Sequence, residues 1–165
     1  MQAAFWAARN AGRLRIARIF NTIGHDDPNA HLIPDIISQI PVDAKKASIA
    51  LGNTMPRRDY IHADDTARGL AALALDERGN STDIYNIATG VDFSVGELVE
   101  LLGEVMGINI TITTDESRKR RIDRPSQLGD VRKLKTALGV VPQKSLRMAL
   151  EDIVRHSGRP LAMSK

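Results

Sequence analysis

An α/β fold is predicted by this sequence, and three observations carry the prediction. Short apolar runs rich in β-branched residues alternate with stretches whose apolar residues recur at helical spacing, the pattern of strands joined by helices and paired in parallel. The 165 residues are 42% hydrophobic and 26% charged, close to globular averages and unlike a disordered chain. The longest apolar runs, such as Ala71 to Leu75, are far shorter than the ~20 residues of a membrane-spanning helix.

The elements follow in order. Residues 1–11 are Ala-rich and helical by propensity, with Asn10 and Gly12 as stop signals. The segment opens without a cap, so it reads as the middle of a helix. Arg15 to Phe20 alternates apolar and basic residues and reads as a strand. Asn21 to Ala30 is a turn-rich loop. Leu32, Ile33, Ile36, Ile37 and Ile40 recur at helical spacing, with Pro34 in the first turn and Pro41 as the stop. Ala47 to Leu51 is a short strand closed by Gly52-Asn53. Tyr60 and Ile61 are extended, and Asp64 or Asp65 caps a helix through Ala67, Leu70, Ala71 and Ala74. Gly79-Asn80 breaks the chain before a strand from Ile84 to Ala88. Ser94 and Glu97 form a capping box for a helix with Leu98, Leu101, Leu102 and Val105 on one face and Gly107 at its end. Ile108 to Thr113 is a strand. Asp130 caps a helix that ends at Gly139, and Ser145 caps a last helix carrying Leu146, Ala149, Leu150 and Ile153. Four candidate strands make a thin sheet, as in one part of a larger α/β protein.

Composition removes several function classes. There is no cysteine, hence no disulfide, thiolate zinc site, iron–sulfur cluster or cysteine nucleophile. No charged segment followed by an apolar stretch opens the chain, so no secretory signal is read there, and a cytoplasmic location is expected. The net charge is +3, from 23 basic and 20 acidic residues. Much of the excess sits in Arg118, Lys119, Arg120, Arg121 and Arg124. That run reads as an anion site or a solvated loop. No aromatic residue alternates with it, so neither nucleic acid nor membrane is expected as a partner.

Catalytic motifs are few. No G-x-G-x-x-G, P-loop or G-x-S-x-G pattern occurs. The positions four residues after Tyr60 and Tyr85 hold Asp64 and Thr89, so neither tyrosine has a helical lysine partner. His25, Asp26, Asp27 and His31 match no metal-ligand spacing and read as a polar loop. His62 reads as half-buried structure, and Asp64-Asp65 as helix capping before acid/base chemistry. Two arginine sites remain. Arg57, Arg58 and Tyr60 precede a helix, and Arg118, Arg120 and Arg124 surround Asp123. Arginine forks suit diphosphate oxygens, and an aspartate accepts from ribose hydroxyls.

Four segments in order carry a family resemblance. They are Arg18-Ile19-Phe20-Asn21-Thr22-Ile23-Gly24, Arg58-Asp59-Tyr60-Ile61-His62-Ala63-Asp64-Asp65, Tyr85-Asn86-Ile87-Ala88-Thr89-Gly90 with Phe93-Ser94-Val95, and Asp130 to Leu134 with Leu138-Gly139-Val140-Val141-Pro142. From about Ile16 to Arg155 the chain resembles the C-terminal half of the extended short-chain dehydrogenase/reductases, the NAD-dependent epimerase/dehydratases of nucleotide sugars. Arg118 to Pro125 is similar to the corresponding run of GDP-mannose 4,6-dehydratases and GDP-4-keto-6-deoxymannose reductases, which favours a GDP sugar. Arg121 stands where that run has proline, Val140 where the family has tryptophan, and His25 where it often has proline.

The resemblance implies the C-terminal part of a Rossmann-type fold with a small substrate-binding subdomain. Residues 1–24 would end the Rossmann-type part, 25–156 would form mainly the substrate subdomain with return elements to the sheet, and 157–165 a polar tail. It implies substrate contacts at Asn21, His31, Leu32, Arg58, Arg120 and Asp123, and a cofactor contact at Ile19 and Phe20. The family's cofactor is NAD or NADP. Its glycine-rich motif and Tyr-x-x-x-Lys do not occur in these residues, so neither cofactor binding nor catalysis by this chain alone is expected. The implied partners are a nucleotide sugar and either a homo-oligomer or a separate N-terminal half. A non-catalytic nucleotide-sugar-binding module is the alternative. A sheet lacking its first strands is expected to be marginal or aggregation-prone without a partner.

Overall fold

The computed structural model describes residues 2–9, 13–29, 31–78, 82–119 and 122–162. Helix α1 (Gln2–Arg9) leads into β1 (Leu14–Ile19), and after Phe20 the chain is extended again as β2 (Asn21–Ile23). There follow α2 (Leu32–Ser38), β3 (Lys46–Leu51), β4 (Arg57–His62), α3 (Ala63–Leu75), β5 (Thr82–Ile87), β6 (Asp92–Ser94) and α4 (Val95–Met106). Strand β7 (Asn109–Thr114), a 3-10 turn at Glu116–Arg118, β8 (Ser126–Gln127), α5 (Arg132–Leu138) and α6 (Leu146–His156) complete the order. No described helix is long and apolar enough to cross a membrane.

The expected α/β architecture with parallel pairing is present. β1 pairs β5 in parallel along its whole length, from Leu14 opposite Thr82 to Ile19 opposite Ile87. β3 pairs β7 in parallel. The chain changes neighbours at Phe20: β2 leaves β5 and runs parallel to β4, with Asn21 opposite Tyr60 and Ile23 opposite His62. The other half of β4 lies between β6, antiparallel, and β8, parallel. Asn21–Ile23 is therefore strand rather than loop, because β4 offers a ladder that local turn propensity cannot outweigh. The turn begins at His25-Asp26, where Asp26 adopts φ 55, a left-handed conformation that short polar side chains tolerate.

Two apolar cores form. The larger gathers Ile33, Ile36 and Ile37 of α2, Ile49 of β3, Leu98 and Leu102 of α4, and Leu150, Ile153 and Val154 of α6. The smaller joins Ile61, Leu73, Tyr85, Ile87 and Leu134, from β4, α3, β5 and α5. The α4 capping box is complete. The Glu97 backbone N–H donates to Ser94 Oγ (3.1 Å) and the Ser94 N–H to Glu97 Oε2 (2.7 Å). Gly107 and Gly139 end α4 and α5 at φ 67 and 68, which only glycine adopts without strain.

Local expectations change at the α3 cap and in the C-terminal segment. The cap of α3 is His62, whose Nδ1 accepts the Asp64 backbone N–H at 3.1 Å, and His62 is buried rather than half-buried. Strand β4 runs straight into the helix, so Asp64 and Asp65 fall in its first turn, where their charge still suits the helix dipole. Asp65 turns instead to the backbone N–H groups of Gln143 and Lys144 (2.9 and 3.0 Å). The segment read as a polar tail is tied down through Ala162. Arg159 donates to the Ile40 carbonyl (2.6 Å), and the Ala162 N–H donates to the Val105 carbonyl (2.8 Å). Finally, β1 and β5 have no further strand beside them among the described residues. Apolar Phe5, Trp6, Ile19 and Ile84 are exposed on α1, β1 and β5, as expected of a sheet with an open edge.

Candidate functional site

A cleft of about 710 Å³ lies where β2, the β2–α2 loop, α2 and β4 meet the 3-10 turn and the loop before β8. That is the size range of small-molecule sites, roughly 300–1,000 Å³. Asn21, His31, Leu32, Arg58 and Asp123 all line it. Arg120 and Arg121 lie outside the described residues. Ile19 and Phe20 are not among the lining residues. Ile19 is exposed at the end of β1, and the Phe20 N–H donates to the Ile87 carbonyl (3.0 Å).

Strand alternation decides which residues of β4 reach the cleft. Arg58 and Tyr60 are two apart and both line it. Arg57, one position off, goes elsewhere. Its Nε donates to Asp92 Oδ1 (2.9 Å) and its Nη1 to Glu97 Oε2 (2.8 Å). The expected anion site at Arg57 is therefore an ion-pair bridge between β4, β6 and the start of α4.

Arg58 is held firmly. Its Nη1 donates to the carbonyls of Arg57 and Arg124, each at 2.8 Å, and its Nη2 donates to Asp123 Oδ1. The two arginine sites read on separate loops are thereby one site. Asn21 faces Tyr60 across the ladder and donates from Nδ2 to the Asp59 carbonyl (3.2 Å). The Tyr60 hydroxyl is buried with no hydrogen-bond partner among the described residues. Burial pushes its pKa up to about 12, against the pull of the Arg58 charge, so it is a neutral donor at physiological pH.

The rim carries more polar pairs. Arg118 donates from Nη1 to Asp35 Oδ2 (2.7 Å), and His31 Nδ1 meets Asp27 Oδ2 at 2.7 Å. The backbone N–H of Asn29, aided by His31 and opposed by burial, holds Asp27 below the usual carboxylate range. Behind the cleft, fully buried Asp59 accepts from Thr89 N–H (2.8 Å), Thr89 Oγ1 (2.6 Å), Gly90 N–H (2.8 Å) and Gly129 N–H (3.3 Å). This knot locks the β5–β6 turn and the 129 loop against the strand that carries Arg58 and Tyr60.

Each described guanidinium in the cleft stands against a carboxylate. Such a site offers N–H forks to phosphate oxygens and acceptor oxygens to hydroxyls at once, which fits a phosphorylated polyol better than a bare anion. Tyr60 and Arg118 both belong to the two arginine sites read from sequence, though the family motifs imply no substrate contact at either, and both line the cleft. The period-two relation to Arg58 was the signal for Tyr60, whereas Arg118 depends on a 3-10 turn with no local signature. Ile19 and Phe20 supply no side-chain donors for a pyrophosphate, and no glycine-rich turn accompanies them.

The four histidine-loop residues do not converge on a metal position. His31 is bonded to Asp27, while His25 turns away to stack on His156, with ring centroids 4.0 Å apart.

The profile of the GDP-mannose 4,6 dehydratase family matches residues 4–153. The chain is 25% identical over 152 residues to GDP-6-deoxy-D-mannose reductase of Pseudomonas aeruginosa, covering 90% of this chain and 49% of that protein. It is 30% identical over 160 residues to UDP-glucose 4-epimerase of Corynebacterium glutamicum, covering 91% of this chain and 47% of that one. The chain thus spans about half the length of these relatives. The solved structure of RMD from Pseudomonas aeruginosa complexed with NADPH shares the fold, with a TM-score of 0.80 at 22% identity over 94% of this chain and 52% of that one. On the profile match along most of its length, the chain belongs to the GDP-mannose 4,6 dehydratase family, within the extended short-chain dehydrogenase/reductases.

Proposed function

We propose that this chain forms the nucleotide-sugar side of an NAD(P)-dependent epimerase, dehydratase or reductase, and that Arg58 and Asp123 grip the diphosphate and ribose of the substrate. The observation that carries the reading is the cleft itself, which gathers Asn21, His31, Leu32, Arg58 and Asp123 from three distant parts of the chain. The guanidinium supplies a fixed fork for the diphosphate, Asp123 accepts from a sugar hydroxyl, and Asn21 and Tyr60 complete the polar floor. Arg120 joins the diphosphate contact in this reading, and Ile19 and Phe20 border the nicotinamide. Residues 1–24 belong to the cofactor side and 25–156 to the substrate side.

A GDP sugar is the favoured ligand. The run from Arg118 to Pro125 supports it, as does the printed substrate class of the Pseudomonas relative. Hydride transfer also needs the dinucleotide-binding turn and a Tyr–Lys proton donor, and these 165 residues carry neither motif. These residues on their own are therefore read as binding the sugar nucleotide without turning it over.

Calorimetric titration of the chain with GDP-mannose, UDP-glucose and NAD tests this. Saturable binding of GDP-mannose, weaker binding of UDP-glucose and none of NAD is the expected result. No binding of either sugar nucleotide would overturn the reading, and equal affinity for the two would remove the preference for guanine.

A further inference from the structure

One polar cluster lies outside the cleft's proposed chemistry. His25 on the β2–α2 loop, and Asp152 and His156 on α6, each offer a ligand atom, all within 4.8 Å of one another. Asp152 and His156 are one helical turn apart and so share a face of α6. The histidine rings lie nearly parallel, 15° between planes.

The hydrogen bonds select the tautomer of each neutral ring. His25 Nδ1 meets the Asp26 carboxylate at 2.8 Å, and His156 Nδ1 meets the Asp152 carbonyl at 2.8 Å. Both oxygens only accept, so Nδ1 carries the proton in each ring and Nε2 presents its lone pair. Asp152 is steadied from the other side. His62 Nδ1 accepts the Asp64 N–H, which leaves its Nε2–H to donate to Asp152 Oδ2 (3.1 Å). All three groups thus have an outer partner that sets tautomer or orientation, the arrangement that accompanies metal-binding histidines and carboxylates. The neighbouring Lys144 ammonium is engaged by Asp64 at 2.7 Å.

We propose that His25, Asp152 and His156 bind a divalent transition-metal ion of the zinc class, two imidazole nitrogens and one carboxylate oxygen supplying three positions and water the remainder. Donors of this mixed nitrogen and oxygen type suit zinc, cobalt, nickel or copper better than magnesium or calcium. Ligand atoms on one tetrahedral ion sit about 3.4 Å apart, so the cluster must tighten and the rings must fan out of their stack. The last torsion of histidine is broad, and the two side chains are 40% and 46% exposed. The ion would fasten the β2–α2 loop, which carries Asp27 and His31 on the cleft rim, to the end of α6.

The test is titration of the untagged full chain with cobalt(II) chloride, read by visible absorption, and with zinc chloride, read by calorimetry. One equivalent is expected to bind. His25→Ala and His156→Ala should each weaken binding by at least about tenfold, and His31→Ala should leave it unchanged. Should an alanine variant unfold by circular dichroism, His25→Gln and His156→Gln replace them. Absence of saturable uptake, or wild-type affinity in the His25 and His156 variants, overturns the proposal. So does loss of binding in His31→Ala, which would move the ion to the Asp27 pair.

Discussion

The guanidinium of Arg58 is bonded to the carboxylate of Asp123, 65 positions further along the chain. Both side chains are largely buried, 14% and 20% exposed. Arg58→Ala should weaken GDP-mannose binding by roughly 10- to 100-fold, the range of a lost charge-assisted hydrogen bond. Arg58→Lys should rescue little, because a single ammonium cannot reproduce the fork. Asp123→Ala should weaken binding as well, since it frees the fork to wander and removes an acceptor. Calorimetry reads all three, and wild-type affinity in Arg58→Ala would sink the proposed role of the cleft.

Tyr60→Phe should separate stability from binding. The hydroxyl is buried and has no partner among the described residues, and such a group costs about 1–3 kcal/mol in the folded state. Its removal is expected to raise the urea midpoint of the free chain. If the hydroxyl meets the ligand, the same change lowers sugar-nucleotide affinity. A stabilised variant with undiminished affinity would assign Tyr60 to the wall of the cleft alone.

Asp59 should be among the least replaceable residues. Asp59→Ala strands the part-buried N–H groups of Thr89 and Gly90 and the buried one of Gly129, for an expected loss of about 3 kcal/mol or more. Gly129→Ala attacks the same knot sterically. An added Cβ would lie 2.3 Å from Ala88 Cβ, an overlap that only backbone movement relieves, at about 1–3 kcal/mol. Urea unfolding followed by circular dichroism measures both, and Gly139→Asn should cost less than either, because no atom lies within 4 Å of an added Cβ there and asparagine bears the left-handed backbone better than other non-glycine residues.

Stability should fall in acid. Hydrogen bonds from Ser126 and then Arg57 hold Asp92 below the usual carboxylate range, and Lys133 does the same for Asp83, in each case against burial. A carboxylate with a depressed folded-state pKa stabilises fully above its unfolded value, near 4, and loses that contribution as pH falls through the folded one. The urea midpoint is therefore expected to hold down to about pH 5 and then decline. Asp92→Asn should lower the plateau and flatten the decline. An acid limb as steep as wild type would show that Asp92 contributes nothing to it.

Sequence patterning exposed what is locally encoded. The helix from Val95 was legible from Ser94, Glu97, the apolar spacing of Leu98, Leu102 and Val105, and Gly107, because cap, stripe and stop all lie within one element. The short strands β2, β6 and β8 were not, since two or three residues carry no period and are extended only because β4 lies beside them. The α3 cap passed to His62 because a strand ran unbroken into the helix. Within the cleft, the motif resemblance picked out Asn21, Arg58 and Asp123, but not that Arg58 and Asp123 meet. The pairing of His25 with His156 was beyond any local reading, for it exists only once α6 has docked on the β2–α2 loop.

The cleft's walls run from Asn21 to Ile153 in the chain, so no short segment of the molecule contains it. Any ligand that fills it binds the native state and has nothing equivalent to hold in the unfolded one. Occupancy and folding are then one equilibrium: a ligand at a hundred times its dissociation constant stabilises the fold by about 2.7 kcal/mol. Thermal melting across a collection of sugar nucleotides therefore ranks their affinities without an assay of any reaction. The molecule's own melting temperature serves as the reporter of what it binds.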